Sequence, residues 1–246
     1  MTTIFERIAE NEKIFSADNY NGNARENYKI IRGNIPIMLS APHAVNHFRN
    51  GQKKWADLWT GAITLYLQQT TDCHLIYNAC FAETDPNFDP PENNDYQNAL
   101  RQYLKNTPVY VLLDIHGSSA NREYAVELGT APSPAKSEQE KQEDLTSLHG
   151  IKIIEDIVIS AFNQNFAKLK TPKKSVWKNK VFSAGGQNTI TKGISENTNT
   201  ACLQLEINAE YRNPDNQEQF TALIAALQKI IHKLSTLNWP EIIKEK

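Results

Sequence analysis

The chain has 246 residues, of which 26 are Lys or Arg and 28 are Asp or Glu, so its formal net charge is −2. A chain so close to neutral does not favour nucleic acid or an anionic membrane surface as its partner. A hydrophobic fraction of 40% is enough for a folded core, and the length fits one domain over residues 1–246. We find no run of the roughly 18 apolar residues that a membrane helix needs, and no apolar run of signal-peptide length near the N-terminus, so we expect a cytoplasmic protein.

The predicted elements alternate between strands and helices along the chain. Predicted strands cover residues 35–40, 73–81, 108–115 and 203–207, and predicted helices cover residues 55–69, 96–105, 151–169 and 216–237. Residues 131–149 are polar and charged, which is typical of a surface excursion with some helix. The alternation predicts an α/β fold, a three-layer α/β/α sandwich around a mostly parallel or mixed central sheet. In such sheets, ligands bind beyond the carboxyl ends of the strands.

Two histidines and an arginine follow the first predicted strand. The strand runs into Ala41-Pro42-His43, and His47 and Arg49 come a few residues later. Imidazole is the commonest metal ligand among side chains, and a strand end can hold it rigidly. His43 is therefore a candidate metal ligand, and a structural, hydrogen-bonded histidine is the alternative.

The third predicted strand ends in a segment that contains an aspartate, a histidine and a glycine. Asp114 and His116 are two residues apart, so on a strand they point to the same side. A carboxylate beside an imidazole is the usual outer partner of a metal-bound histidine, because it fixes the tautomer. Gly117 lets the backbone turn sharply or approach a ligand closely. The alternative is that Asp114 caps a turn and that His116 is solvated.

The last predicted strand alternates apolar and polar residues from Leu203 to Asn208. One interpretation is an edge strand whose polar face is wet. The other is that Glu206 is held over a cleft, partly desolvated, with its pKa raised towards neutrality.

Taken together, these residues match the needs of a hydrolytic zinc site. Such a site uses three His or carboxylate ligands, an open coordination position and a glutamate that acts as general base. His43 and His116 are two candidate ligands, and Glu206 is the candidate base. We expect Asp57 to be the third ligand and keep His47 as the alternative, since an aspartate near a helix start is also favoured by the helix dipole alone. The same ligand types also suit Mn, Fe, Co or Ni.

Five segments of the chain carry a resemblance to a known family. They are Ser40-Ala41-Pro42-His43, Lys54-Trp55-Ala56-Asp57, Thr84-Asp85-Pro86-Asn87, Leu113-Asp114-Ile115-His116-Gly117 and Ala201-Cys202-Leu203-Gln204-Leu205-Glu206-Ile207. In this order, spread over about residues 35–212, they resemble the N-formylglutamate amidohydrolase family, a relative of the zinc carboxypeptidases and aminoacylase-like hydrolases. The resemblance implies a phosphorylase/hydrolase-like fold.

The resemblance also implies a reaction and its site. Zinc would be held by His43, an acidic residue and His116, with Asp114 as the outer partner, and Glu206 would promote attack of water on a C–N amide. The substrate would be an N-acyl amino acid, such as an N-formyl or N-acylglutamate, whose carboxylate enters the cleft beside Asn87.

One position departs from the family pattern. Related hydrolases often carry an arginine after Asp-x-Asn, where this chain has Phe88. Because a guanidinium can bind a carboxylate through two hydrogen bonds, Arg49, Arg122 and Arg212 are the candidates for binding the substrate carboxylate instead.

Two other functions are alternatives to a zinc amidohydrolase. A zinc peptidase or cell-wall amidase is the first alternative, and a non-catalytic binding protein on a hydrolase scaffold is the second. The sequence lacks the Gly-x-Ser-x-Gly motif of serine hydrolases and lacks a Walker A or Gly-x-Gly-x-x-Gly loop for nucleotides. The three cysteines, Cys73, Cys80 and Cys202, lack CxxC spacing, so we expect free thiols rather than disulfides or a cysteine zinc site.

Overall fold

The computed structural model describes residues 2–131, 151–186 and 188–244, so the polar segment predicted at 131–149 lies outside the described residues except for Ala131. The strands are β1 (Tyr28–Ile31), β2 (Ile37–Ala41), β3 (His47–Arg49), β4 (Gln52–Lys54), β5 (His74–Asn78), β6 (Val111–Ser118), β7 (Val126–Gly129), β8 (Val176–Lys178) and β9 (Ala201–Asn208). The helices are α1 (Ile4–Tyr20), α2 (Thr60–Thr71), α3 (Asp95–Asn106), α4 (Ile151–Phe166), α5 (Ile190–Asn197), α6 (Ala209–Arg212), α7 (Gln217–Ser235) and α8 (Trp239–Lys244). A short 3₁₀ helix covers Pro91–Asn93.

Seven strands form a mixed sheet in the order β1-β5-β2-β6-β9-β7-β8, and β3 and β4 form a separate hairpin. The four central strands β5, β2, β6 and β9 are parallel, whereas β1 and β7 run antiparallel to β5 and β9. The predicted mixed sheet is therefore confirmed. The edge-strand interpretation of residues 203–208 is wrong, because β9 pairs with β6 on one side and β7 on the other and all eight of its residues are buried.

Helices cover both faces of the sheet, which confirms the three-layer sandwich. Odd-numbered residues of the central strands, such as Leu39 and Leu113, join a core cluster with residues of α1, α2, α4 and α7. Even-numbered residues, such as Met38 and Leu112, join a second cluster with residues of α3 and α5. This division follows from the alternation of side chains along a strand.

Helix α1 was not predicted, and helix α2 begins later than expected. Helix α1 starts with a capping box, in which Thr3 and Glu6 bond to each other's backbone N–H groups. Helix α2 begins at Thr60 rather than near Trp55, because Trp59 has a left-handed backbone (φ 71°) that no helix continues through. Asp57 consequently lies in a loop before the helix and not in its first turn.

The cysteines and the length and polarity of the helices bear on two further expectations. The three cysteines are free thiols, as predicted. Within the part of the chain that the structure describes, none of the helices has the length and apolar character required to cross a membrane.

Candidate metal centre

Polar side chains replace apolar ones towards the carboxyl ends of the central strands β6 and β9. They lie on the sheet face whose apolar residues pack against α3 and α5. On β6, Leu112 is followed on this face by Asp114 and His116, and on β9 the polar residues are Gln204 and Glu206. In the sheet register, Asp114 pairs with Gln204 and His116 pairs with Glu206. Strand pairing therefore places the candidate ligand His116 directly beside the candidate base Glu206.

His43 joins this group from the loop that follows β2. Its Nδ1 atom lies 3.1 Å from Nδ1 of His116 and 3.5 Å from Oδ2 of Asp57, and His116 Nδ1 lies 3.6 Å from the same Asp57 oxygen. Both histidines are almost fully buried. Three nitrogen and oxygen atoms from distant parts of the sequence therefore converge on one point.

The outer nitrogens of both imidazoles are held by carboxylates. His43 Nε2 lies 2.9 Å from Asp85 Oδ1, and His116 Nε2 lies 2.9 Å from Asp114 Oδ2. A neutral imidazole that donates Nε2–H to a carboxylate presents a lone pair at Nδ1. Two such lone pairs and the Asp57 carboxylate thus face one another, and this arrangement needs a positive charge between them.

The spacing of these three atoms fits a tetrahedral metal ion. Zinc bonds of about 2.0–2.1 Å separate neighbouring ligand atoms by roughly 3.3–3.4 Å, close to the observed 3.1–3.6 Å. A carboxylate on the outer nitrogen is also the usual partner of a metal-bound histidine. The residues present therefore fit a divalent cation.

Electrostatics in the pocket also favour a positive charge. Burial lowers the pKa of His43, but the charge of Asp85 and the contact with Asp57 outweigh this and raise it to about 9. Burial would raise the pKa of Asp57, but its contacts with His116 and His43 hold it well below the usual range. A cation is thus stabilised here, whether it is a proton or a metal ion.

Backbone groups fix the position of Asp57. Its carboxylate accepts a hydrogen bond of 2.9 Å from the N–H of Gly117, and its own N–H donates to the carbonyl of His43 at 2.8 Å. Asp57 is therefore tied to the segments that carry both histidines.

His47, the alternative third ligand, occupies a different position. Its ring stacks on His43 at a centroid distance of 4.3 Å, and its Nε2 atom lies 3.2 Å from Asp85 Oδ2. Arg49 approaches the same carboxylate oxygen, with Nε at 2.5 Å. Among the described residues, two groups have candidate ligand atoms that lie within 4.8 Å of one another. The first is His43, Asp57 and His116, and the second is His43, His47 and Asp85. The guanidinium beside Asp85 disfavours a second cation in the latter group.

Asp85 is a site residue that was not predicted, although it belongs to one of the five segments that carry the family resemblance. Asp85 is fully buried and contacts His43, His47 and Arg49, and it also accepts a hydrogen bond from the N–H of Asn87 at 2.8 Å. The Asp-Pro-Asn sequence, a turn signal in the loop after the predicted strand 73–81, is the feature that could have indicated it.

Glu206 lies at the wall of a cavity of about 480 Å³ that His43, Asp57 and His116 also line. One of its carboxylate oxygens accepts a hydrogen bond of 2.7 Å from the side-chain amide of Gln204. Burial raises its pKa, although the neighbouring His116 acts in the opposite direction. A buried carboxylate with a raised pKa beside a candidate cation is suited to accept and return a proton.

The residues expected to bind substrate take different positions relative to this cavity. Arg49 lines the cavity and lies over the ring of Phe88, with 5.2 Å between its Cζ atom and the ring centroid. Asn87 also lines the cavity, and its side-chain oxygen accepts a hydrogen bond from the N–H of Ile190. Arg122 lies over Phe182, which lines the cavity, at 5.1 Å.

Arg212 is not among the lining residues of this cavity. It is buried, and its guanidinium donates hydrogen bonds to three backbone carbonyls.

Comparisons with known proteins support the fold. No family model and no curated protein matches the sequence. Among solved structures, N-formylglutamate amidohydrolase from Ralstonia eutropha JMP134 superposes with a TM-score of 0.54 at 11% identity, covering 89% of this chain and 98% of that one. Gene product Atu2144 from Agrobacterium tumefaciens gives a TM-score of 0.50 at 12% identity, covering 85% and 93%. At such identities the likeness establishes a shared fold, and the fold implied by the sequence motifs is thereby confirmed.

Proposed function

We propose that this protein is a metal-dependent hydrolase that cleaves the C–N amide bond of an N-acyl amino acid. In this proposal, His43, Asp57 and His116 hold the cation, and zinc is the expected metal. The observation that carries the proposal is the convergence of two Nδ1 atoms and one carboxylate oxygen within 3.6 Å, with both outer nitrogens held by buried carboxylates. Asp57 is preferred to His47 because only Asp57 lies next to both His43 and His116.

Each part of the reaction has a residue to perform it. Zinc, when bound, lowers the pKa of a coordinated water to about 7 and polarises a carbonyl. Glu206 accepts the proton of the attacking water and delivers it to the leaving nitrogen. Asp85 and Asp114 hold the orientation and tautomer of His43 and His116.

Arg49 is the proposed partner of the substrate carboxylate. Its guanidinium lies over Phe88, the position at which related hydrolases often have an arginine, so it supplies a positive charge beside that position from β3 instead. A cavity of about 480 Å³ is within the range of small-molecule sites. We retain N-formyl or N-acylglutamate as the representative substrate.

The proposal is tested by metal analysis together with activity. Zinc should bind stoichiometrically, and N-formyl and N-acyl amino acids should be hydrolysed. Glu206→Gln should keep the metal while losing about 10²–10⁴-fold in activity, since that is the usual contribution of a general base. Glu210→Gln is the matched control, because Glu210 is partly exposed on α6 and pairs with Lys173 outside the cavity.

Two results would contradict the proposal. Full activity in Glu206→Gln would remove Glu206 from the mechanism. Failure of the reconstituted protein to bind any divalent metal ion would favour a non-catalytic binding protein on the same scaffold.

A zinc peptidase or cell-wall amidase is the second candidate function. It is favoured by a further cavity of about 530 Å³, which shares Asp57 and Gly117 with the first cavity and is lined by Trp59, Ser119 and Arg212 among others. The two cavities together offer space for a substrate that extends on both sides of the centre. Higher kcat/KM for short peptides than for N-acyl amino acids would select this candidate.

A further inference from the structure

Arg212 is a buried arginine whose hydrogen bonds, among the described residues, go to backbone carbonyls. It is 5% exposed and lies at the end of α6, the short helix that follows β9. Its Nε donates to the carbonyl of Ile207 at 3.0 Å, its Nη2 donates to that of Ser118 at 3.2 Å, and its Nη1 donates to that of Leu58. The guanidinium is planar and rigid, so these three carbonyls are held in a fixed relation.

Each of the three carbonyls lies next to one component of the candidate centre. Leu58 follows Asp57, and Ile207 follows Glu206. Ser118 comes two residues after His116, on the far side of Gly117, whose N–H binds the Asp57 carboxylate. The Arg212 side chain therefore joins the loop that carries Asp57 to the ends of the two strands that carry His116 and Glu206.

The backbone is shaped to admit this guanidinium. A Cβ atom on Gly117 would lie 2.5 Å from Cζ of Arg212 and 2.6 Å from Nη2, distances that real Cβ atoms do not adopt. Glycine at position 117 therefore allows Arg212 to reach Ser118 and Leu58. Burial lowers the pKa of Arg212, and the nearby carboxylates of Asp57, Glu206 and Glu12 oppose this by favouring its charged form.

We infer that Arg212 is a positioning residue of the metal centre, which sets the distance between the Asp57 loop and the strand ends that carry His116 and Glu206. This inference rests on the proposed function, because it needs Asp57 and His116 to be metal ligands. It differs from the expectation that Arg212 binds the substrate carboxylate.

The experiment compares zinc affinity in Arg212 variants with that of the native chain. Arg212→Lys and Arg212→Met are titrated with zinc against a chromophoric chelator, with circular dichroism as the measure of folding. We expect zinc affinity to fall about 10–100-fold, as it does when the outer partners of metal ligands are removed. Free guanidinium ion at low concentration should restore part of the affinity in Arg212→Met, because it fits between the three carbonyls.

Lys173→Met is the matched control. Lys173 is also a cation bound to a backbone carbonyl, that of Ala120 at 2.6 Å, and it pairs with Glu210 on α6 at 2.5 Å. Its contacts thus join α6 to the loop after β6 without reaching Leu58 or Ile207. We expect this variant to lose stability while it binds zinc as tightly as the native chain.

Each outcome decides one question. If the native chain binds no metal, the proposed function fails and this inference fails with it. If the native chain binds zinc and the Arg212 variants bind it equally well, or if Lys173→Met loses as much affinity, only the inference is overturned. The inference is also overturned if no Arg212 variant folds, because Arg212 would then act in fold stability. It is overturned as well if KM for carboxylate substrates rises while zinc affinity is unchanged, because Arg212 would then act in substrate binding.

Discussion

Glu12 gives a prediction about stability that does not depend on the metal. This glutamate of α1 is buried, and its Oε1 atom accepts hydrogen bonds from the Tyr20 hydroxyl at 2.6 Å and from the N–H of Trp59 at 3.1 Å. Burial raises its pKa from 4.5 to about 7, against the opposing effect of these hydrogen bonds. Between these two pH values the folded chain holds a proton that the unfolded chain has released, so the free energy of unfolding falls as pH rises.

The size of this effect follows from the displacement of the pKa. A change from 4.5 to about 7 corresponds to about 3 kcal/mol over the whole range. Most of this is lost between pH 5 and pH 8. Glu12→Gln removes the titration but keeps an oxygen that can accept from Tyr20 and Trp59.

The measurement is urea unfolding of the metal-free protein at pH 5 and pH 8. Glu12→Gln should lose about 2–3 kcal/mol less than the native chain between these pH values, because every other titrating group is common to both proteins. Glu10→Gln is the control and should match the native chain, since Glu10 is 71% exposed and pairs with the exposed Lys13. Equal losses in Glu12→Gln and the native chain would refute the argument that burial displaces this pKa.

Three further predictions concern the centre and the core. Asp114→Asn should weaken zinc binding about 10–100-fold in a chelator competition, because it disturbs the 2.9 Å contact that fixes His116; unchanged affinity would contradict the assigned tautomer. Removing zinc with a chelator should lower Tm, by an amount equivalent to about 4 kcal/mol at a thousandfold excess over Kd, and scanning fluorimetry would show no change if the site did not bind zinc. Phe162→Ala, at a fully buried position, should cost about 3–5 kcal/mol in urea unfolding and leave zinc affinity unaltered; a loss of affinity would mean that this core helix supports the centre.

The strands of the site could be predicted from the pattern of apolar residues in their sequences. β6 begins as an apolar run and β9 alternates apolar and polar residues, and the two-residue spacing of Asp114 and His116 correctly places them on one face. That His116 pairs with Glu206 could not be read from either segment. It depends on β6 and β9 being neighbours, which is a property of the whole sheet.

Other parts of the site depend on contacts between residues far apart in the sequence. Asp85 lies 42 residues from His43, and the contact between them exists only because β5 packs beside β2. The late start of α2 depends on the backbone of Trp59, whose N–H is held by Glu12 from a helix that was not predicted. Arg212 was predicted only as a candidate for binding the substrate carboxylate, because nothing local in its sequence indicates the three carbonyls around it.

Much of the candidate centre is held by main-chain atoms rather than by neighbouring side chains. The amide of Gly117 binds Asp57, and the carbonyls of Leu58 and Ser118 bind Arg212. Every amino acid except proline offers the same amide, and all offer the same carbonyl, so drift at positions 58 and 118 leaves these contacts intact. Gly117 is different, since any side chain there meets the guanidinium. Selection on the geometry of this centre should therefore fall on a few positions and spare the residues immediately beside them.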